Sequence, residues 1–148
     1  VRGLNQAEIA WRLGIETPDY DAAPGASVQA VLHLSDRALA TSGDYRNYFR
    51  NEQGEVFSHI FDPRTGRPAT TKVASVSVIA DSGARADALA TTLFVMGPDE
   101  GLPWLAAKYP DVHALFILRD SEHSFREVAT PGFENATGYH PTKAPVAD

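Results

Sequence analysis

The sequence contains 148 residues, a length that predicts one domain able to bury a hydrophobic core of its own. Its formal net charge is −6, from 13 basic and 19 acidic residues, and it contains no run of basic residues. We therefore expect no nucleic-acid partner, because binding to a phosphate backbone depends on clustered Lys and Arg. The absence of cysteine excludes disulfides, thiolate metal ligands and thiol nucleophiles. The longest apolar stretches fall far short of the roughly 20 residues that a membrane-spanning helix needs.

Short apolar and β-branched runs predict a series of strands. Two helical patterns, residues 84–95 and 98–109, follow the fifth strand, and Pro98 suits the first turn of the second helix. Successive strands followed by helices and returning strands predict an α+β fold with a mixed or antiparallel sheet and packed helices. The predicted strands are residues 11–16, 28–34, 39–42, 56–61, 74–80, 114–118 and 125–128.

Two segments are rich in proline and glycine. Residues 17–27 carry Pro18, Pro24 and Gly25, and we interpret them as a loop without a chemical role. Residues 129–148 are predicted to be a loop-rich C-terminal tail that follows a structured unit at residues 1–128. The last residues hold too little apolar surface to offset the entropy of ordering, so we expect them to fray.

One histidine lies near the end of a predicted strand and beside a turn. Residues 56–61 carry His59 to the strand end, and Asp62 is pushed out of the helical region because a proline follows it. This pattern predicts that the imidazole and the carboxylate lie together at the rim of a sheet. Thr65 and Gly66 add a hydroxyl and a permissive backbone for close ligand approach. The alternative is a packed histidine beside a well-capped turn.

A carboxylate and a hydroxyl lie four residues apart in the first helical pattern. Asp87 and Thr91 therefore share one helix face. Their hard oxygen atoms suit Mg²⁺ or Ca²⁺ better than zinc. The alternative is that Asp87 meets the positive end of the helix dipole and that Thr91 bonds back to the main chain.

The segment after the third predicted strand offers polar groups to a ligand. Ser42 and Gly43 are candidates because main-chain N–H groups and the serine hydroxyl are exposed at a strand end. The alternative is a tight turn in which Asp44 caps a short helix that extends through Tyr48.

Three common enzyme classes need a motif that this sequence lacks. It has no G-x-G-x-x-G after a strand, no P-loop and no G-x-S-x-G, which argues against a Rossmann dehydrogenase, a P-loop NTPase and an α/β-hydrolase. The remaining histidines form no cluster with ligand spacing, and we expect them to be structural or exposed. They are His33, His113, His123 and His140.

The ordered set of segments from about residue 11 to residue 119 resembles the FAD:protein FMN transferases, the ApbE-like flavin transferases. No single segment is diagnostic of this family, but the occurrence of all of them in this order, with ordinary spacing between them, is. The matching segments are Trp11-Arg12-Leu13-Gly14-Ile15-Glu16, Ala40-Thr41-Ser42-Gly43-Asp44-Tyr45, the run from His59 to Pro68, and Ala86-Asp87-Ala88-Leu89-Ala90-Thr91.

The resemblance implies a T-fold-like core and a site for FAD and Mg²⁺. It implies that Asp87 and Thr91 hold the Mg²⁺ on the pyrophosphate of FAD, with a third protein ligand from an upstream segment. The implied reaction transfers the FMN half of FAD to a Ser or Thr hydroxyl of an acceptor protein, and AMP leaves. His59 and Asp62 are the catalytic candidates: His59 accepts or positions the hydroxyl proton, and Asp62 orients His59 or anchors the turn. The residues implied to bind the cofactor are Ser42, Gly43, His59, Ile60, Thr65 and Gly66.

The resemblance also implies partners and a location. Full-length family members carry an N-terminal half that contributes flavin-binding residues, and we expect this chain to be the C-terminal portion, which begins at Val1 without an initiator methionine. The implied acceptor belongs to a membrane electron-transfer complex, in the periplasm or on the outer face of the bacterial inner membrane. A competing hypothesis is a catalytically silent module that binds flavin, metal or a partner protein. A third is a plain α+β interaction domain.

Overall fold

The computed structural model describes residues 1–121 and 123–141. Within these residues the chain forms ten strands and two helices. In chain order they are β1 Trp11–Glu16, β2 Val28–Leu34, β3 Ala38–Gly43, β4 Tyr48–Arg50, β5 Val56–Ser58, β6 Phe61–Asp62, β7 Arg67–Pro68, β8 Val73–Ala80, α1 Gly83–Lys108, β9 His113–Ser121, β10 Ser124–Ala129 and α2 Phe133–Thr137.

The described part of the chain centres on an antiparallel sheet with the strand order β10-β9-β8-β3. Every residue of β8 is buried, since this strand has neighbours on both sides and layers on both faces. Such a strand is expected to consist almost entirely of apolar and small residues, as β8 does. The hairpins β1-β2, β4-β5 and β6-β7 are also antiparallel. The predicted α+β class with a mixed or antiparallel sheet is confirmed.

Two hydrophobic layers cover the two faces of this sheet. One lies between the sheet and α1, and its members include Val76, Val78, Leu93, Phe94 and Phe116. The other lies between the sheet, the β1-β2 hairpin and α2, and its members include Ile15, Leu32, Ile79, Leu115, Ile117 and Phe133. Side chains of β8 and β9 point alternately to the two layers, as the period of a strand requires.

The helix α1 contains a break that separates the two predicted helical patterns. Gly97 adopts φ 72° and ψ 173°, a left-handed conformation that glycine reaches without steric cost. Pro98 follows and begins the second part, where the missing proline N–H is not needed. Both parts of α1 place side chains in the core, among them Leu93 before the break and Leu105 after it.

Most predicted strands match the structure, and one prediction is wrong. The strand predicted at residues 56–61 is interrupted at His59 and Ile60, so that β5 ends at Ser58 and β6 begins at Phe61. The Ile60 N–H donates to Ser58 Oγ at 3.0 Å and the Ile60 carbonyl accepts from Ala69 N–H, and these bonds turn the chain. The strands β4 and β7 were missed because two or three residues are too short to show a period.

The proline- and glycine-rich segments differ from the expectation. In residues 17–27, Tyr20 packs inward and its hydroxyl donates to Asp44 Oδ2 at 2.6 Å, so this loop does contribute to the surroundings of the candidate site. In the predicted tail, α2 inserts Phe133 into the second layer, where it is buried. The fraying predicted for the last residues falls largely on residues 142–148, outside the described residues, and the boundary after residue 128 stays a prediction.

In the described ranges no helix combines the length and the apolar character needed to cross a bilayer.

Candidate active site

The edge strand β3 and the helix α1 bring two predicted site residues into contact. Ser42 Oγ and Thr91 Oγ1 lie 3.0 Å apart, a hydrogen bond between residues 49 positions apart in the chain. Ser42 is half-buried and Thr91 is exposed. The contact joins the sequence segment around residue 42 to the helical Asp87/Thr91 motif.

Asp87 lies one helical turn before Thr91 and is exposed. Among the described residues its carboxylate makes no hydrogen bond or ion pair, and the first turn of α1 contains no acidic residue. Asp87 therefore lies beyond the turn where a carboxylate meets the positive end of the dipole. The threonine that bonds back to the main chain is Thr92, whose hydroxyl donates to the Ala88 carbonyl at 2.9 Å. Among the described residues, one face of α1 thus carries the Asp87 carboxylate, which has no partner, and the Thr91 hydroxyl, which is hydrogen-bonded to Ser42.

These oxygen atoms fit a hard divalent cation. In the described part of the chain no group of three or more His, Cys, Asp or Glu side chains has a metal-binding arrangement. A site of one carboxylate and one or two hydroxyls does not suit zinc, whereas Mg²⁺ commonly uses one or two carboxylates together with water and substrate phosphates. The donor set therefore fits a Mg²⁺ whose remaining positions are filled by other ligands.

His59 lies at the base of the β4-β5 hairpin and is exposed. Its Nδ1 atom is 2.9 Å from the Asn47 carbonyl oxygen, which also accepts the His59 backbone N–H at 3.2 Å. A carbonyl oxygen only accepts, so Nδ1 carries the proton in the neutral ring and Nε2 keeps its lone pair. In the residues described here Nε2 has no hydrogen-bond partner, and it is therefore available to accept a proton.

The expectation that Asp62 orients His59 is wrong. The Asp62 carboxylate instead accepts bonds from the Arg64 guanidinium, at 2.9 to 3.2 Å, and from the Arg64 backbone N–H at 2.8 Å. The Arg64 side chain and, next, its backbone N–H lower the pKa of Asp62 below its usual value. The Asp62 carbonyl accepts from the N–H groups of Thr65 and Gly66, so the turn-anchoring role fits this residue.

The remaining predicted cofactor residues of this segment differ in exposure: Ile60 is buried, whereas Thr65 and Gly66 are exposed. Ile60 is a core residue, 7% exposed, and both of its main-chain polar groups are bonded within the chain. The predicted ligand contact of Ile60 is therefore not supported by its position. Gly66 has φ 67°, which by itself favours glycine, and a Cβ there would meet no protein atom within 4 Å; its predicted ligand contact stays a prediction. Thr65 is exposed and its hydroxyl lies 3.4 Å from the Asp62 carbonyl.

The residues after Ser42 form a buried polar cluster. A Cβ at Gly43 would lie 2.9 Å from the Ala74 carbonyl oxygen and 2.7 Å from the Tyr45 ring, so only glycine fits. The alternative of a short helix from Asp44 to Tyr48 is not found, since the chain bends and then enters β4. Asp44 instead accepts from the Tyr20 hydroxyl at 2.6 Å and from Arg119 Nη2 at 3.0 Å.

The electrostatics of this cluster follow from burial. Desolvation raises the pKa of Asp44 above its usual value, although the hydrogen bond from Tyr20 and the charge of Arg119 act in the opposite direction. Burial and the hydrogen bond to Asp44 also raise the pKa of Tyr20. Tyr20 stays a neutral donor at physiological pH, and the network keeps the end of β3 in place.

Two concave regions flank the segment around His59. An apolar groove of about 560 Å³ lies between the β6-β7 turn and α1; Phe61, Pro63 and Arg64 line one side, and Thr91, Thr92 and Val95 line the other. The groove thus lies between the turn that follows His59 and the face of α1 that carries Thr91. The Arg64–Glu100 ion pair, at 3.4 Å, connects its two sides. A cavity of about 410 Å³ is lined by residues that include Tyr20, Asp44, Ser58, Thr70 and Thr71.

Sequence reasoning missed three residues of this region. Asn47 holds the His59 ring, and Tyr20 and Arg119 hold Asp44. These are contacts between distant segments, and a single Asn, Tyr or Arg outside a motif carries no signal for them.

Solved structures of ApbE proteins share this fold. The chain superimposes on the flavin transferase ApbE from Vibrio cholerae with a TM-score of 0.71 and 40% identity, over 90% of this chain and 40% of that one. It also superimposes on the ApbE protein from Thermotoga maritima with a TM-score of 0.71 and 33% identity, over 90% of this chain and 40% of that one. The fold is that of the flavin transferases.

Sequence comparison leads to the family. The sequence model of the ApbE family matches residues 1–116. An FAD:protein FMN transferase from Vibrio cholerae is 42% identical over 134 residues, and one from Escherichia coli is 35% identical over 135 residues. Each alignment covers 90% of this chain but only 38% and 36% of the respective relative. The chain belongs to the ApbE family and spans less than two fifths of the length of these relatives.

Proposed function

We propose that this chain is the part of an FAD:protein FMN transferase that holds the divalent cation and the group that activates the acceptor hydroxyl. The observation that carries this proposal is the contact between Ser42 and Thr91 next to Asp87 in a chain of the ApbE family. It is supported by the groove that joins this helix face to the turn after His59.

Asp87 and Thr91 are proposed to hold a Mg²⁺. When bound, Mg²⁺ offsets the negative charge that develops on a pyrophosphate during phosphoryl transfer. The carboxylate of Asp87 supplies a charged ligand and the hydroxyl of Thr91 a neutral one. The N-terminal part of α1 keeps both in fixed positions, because helix residues four apart lie on the same face.

His59 is proposed to accept the proton of the acceptor hydroxyl at Nε2. The Asn47 carbonyl orients the ring through Nδ1, and exposure of the imidazole leaves room for an acceptor polypeptide. The acceptor oxygen forms a bond to the FMN phosphorus, the bond from that phosphorus to the bridging oxygen breaks, and AMP leaves. The acceptor protein in a membrane electron-transfer complex and the location outside the inner membrane stay predictions.

The test is intact-mass spectrometry of an acceptor peptide with a central threonine. The peptide is incubated with FAD, Mg²⁺ and the complete polypeptide to which these residues belong. We expect a mass gain equal to an attached FMN, which Asp87→Ala and His59→Ala abolish. His59→Ala should retain FAD binding, and His140→Ala, which alters an exposed histidine paired with Glu134, should leave transfer unchanged.

The variants separate the assigned roles. Full transfer by His59→Ala would remove His59 from the mechanism, and an unaltered Mg²⁺ dependence in Asp87→Ala would remove the metal role of Asp87. FAD binding without transfer by the unmodified polypeptide would favour the binding-module hypothesis instead.

A further inference from the structure

The hydrogen bond between Ser42 and Thr91 links two residues for which the sequence predicts different roles. The resemblance implies that Ser42 contacts the flavin cofactor and that Thr91 binds the cation. In the structure the two hydroxyl oxygens are 3.0 Å apart. A hydroxyl donates one hydrogen bond and accepts two, so one oxygen can act as a metal ligand while its proton goes to the other.

The position of Ser42 is determined by a strand and not by a loop. Ser42 pairs with Val76 of β8, and the following Asp44 N–H donates to the Ala74 carbonyl at 3.1 Å. Gly43 packs so closely against Tyr45 and the Ala74 carbonyl that no side chain fits there. The end of β3 is therefore fixed on both sides of Ser42.

Thr91, by contrast, lies on the exposed face of α1. Without a partner its hydroxyl can rotate or bond back to the preceding helical turn, as Thr92 does to Ala88. The Ser42 oxygen offers an acceptor outside the helix. Either hydroxyl can donate in this bond; when Thr91 donates, its proton points to Ser42 and its lone pairs point away from it.

We propose that Ser42 is a positioning residue of the cation site and acts through Thr91. It accepts the proton of the Thr91 hydroxyl, so that a Thr91 lone pair is presented on the side of Asp87. This inference rests on the proposed function, because it requires Asp87 and Thr91 to be the cation ligands. Partners of metal ligands typically change metal affinity by about 10- to 100-fold when they are removed.

The test measures Mn²⁺ binding in place of Mg²⁺. Free Mn²⁺ is followed by electron paramagnetic resonance as it is titrated into the complete polypeptide at saturating FAD. We expect Ser42→Ala to raise the Mn²⁺ dissociation constant about 10- to 100-fold. Ser42→Thr retains an acceptor oxygen and should restore most of the affinity. FAD affinity without metal, measured by flavin fluorescence, should be unchanged in both variants.

A matched control lies next to Ser42 on the same strand. Thr41 Oγ1 is 2.7 Å from Ser77 Oγ, so Thr41→Val also removes a hydroxyl–hydroxyl bond from β3, but one directed away from α1. We expect it to leave Mn²⁺ binding unchanged. In a Thr91→Val background, Ser42→Ala should have no further effect on Mn²⁺ affinity, because the partner through which Ser42 acts is gone.

The outcomes distinguish this inference from the proposed function. If Asp87→Ala leaves Mn²⁺ affinity unchanged, the cation site itself is wrong. If Asp87→Ala weakens Mn²⁺ binding and Ser42→Ala does not, only the role of Ser42 is overturned. An equal loss of metal-free FAD affinity in Ser42→Ala would make Ser42 a cofactor contact and would also overturn the positioning role.

Discussion

Arg119 connects three segments of the chain beside the candidate site. Its Nη2 atom donates to Asp44 Oδ1 at 3.0 Å and to the Pro18 carbonyl at 2.9 Å, and its guanidinium lies 4.1 Å from the centre of the Tyr20 ring. The side chains of Arg119 and Asp44 are only 16% and 14% exposed. Removing one member of such a pair leaves the other charge buried without compensation, which is costly.

We therefore expect Arg119→Met to lower the free energy of unfolding by about 3 kcal/mol. Arg126→Met is the matched control: Arg126 lies on β10 and also forms an ion pair at 3.0 Å, with Asp120, but both side chains are more than a third exposed. Arg126→Met should lower the free energy of unfolding by less than about 1 kcal/mol, because the ion pair that it removes is exposed. Urea denaturation of the two variants measures the difference, and equal costs would show that burial of the Arg119 pair adds nothing.

The loss in the free energy of unfolding caused by Arg119→Met should depend on pH, because Arg119 interacts with the titratable carboxyl group of Asp44. Burial already raises the folded-state pKa of Asp44, and losing Arg119 raises it further. A raised acid pKa leaves stability intact below the unfolded-state value of about 3.9 and lowers it as pH rises through the folded-state value. The difference in the free energy of unfolding between Arg119→Met and the parent protein should be smallest near pH 4 and should grow as the pH rises.

Among the contacts between elements, the hydrogen bonds of Tyr139 hold the described residues after α2 against β2 and β10. The Tyr139 hydroxyl lies 3.0 and 3.1 Å from the two carboxylate oxygens of Glu127, and 3.3 Å from the Gln29 carbonyl. Gln29 Nε2 also donates to Glu127 Oε1 at 2.7 Å. These bonds join β2, β10 and the residues after α2, and Glu127 is buried.

Tyr139→Phe should lower the free energy of unfolding by about 1.5–3 kcal/mol, the usual worth of a hydrogen bond to a charged group. Tyr109→Phe is the comparison: its ring packs edge-on against Trp104, and no described residue is hydrogen-bonded to its hydroxyl. That variant should stay within about 0.5 kcal/mol of the parent protein. Thermal denaturation followed by circular dichroism provides the measurement. An unchanged free energy of unfolding in Tyr139→Phe would show that the hydrogen bonds of Tyr139 do not stabilise the fold.

At the scale of the molecule, two hydrophobic layers share one sheet. Val76 and Phe116 face the helix layer, whereas Ile79 and Leu115 face the hairpin layer. Because β8 and β9 contribute alternate side chains to both layers, neither layer can separate from the sheet without exposing apolar surface of the other. We infer that the described part of the chain unfolds as one cooperative unit.

Leu32→Ala in the hairpin layer and Leu93→Ala in the helix layer should each cost about 2–5 kcal/mol, since both side chains are fully buried. The chain contains two tryptophans: Trp11 on β1 and Trp104 on α1. Trp104→Phe leaves Trp11 as the fluorescent reporter, on the solvent-exposed side of the β1-β2 hairpin, and Trp11→Phe leaves Trp104, which packs against the helix layer. Both reporters should show the same transition midpoint in each leucine variant, and two separate midpoints would show that the layers unfold independently.

Local patterns in the sequence were enough to predict the α+β class, the main strands and the two parts of α1, and the order of the motifs was enough to predict the family. Runs such as β1 and β8 are visible because alternation and burial act on neighbouring residues, and Asp87 and Thr91 share a face because helix geometry is local. The Gly97 break also lies between the two helical patterns that the sequence predicted.

Which polar groups contact one another became visible only in the folded chain. Asp62 bonds to Arg64 and not to His59, whose ring is held by Asn47, and Ser42 meets Thr91 across 49 positions of the chain. Proximity in sequence suggested the wrong partner for His59 because a break after Ser58 turns the chain. Contacts of this kind depend on strand pairing and on how α1 packs on the sheet, and both are set by long-range burial that no local pattern records.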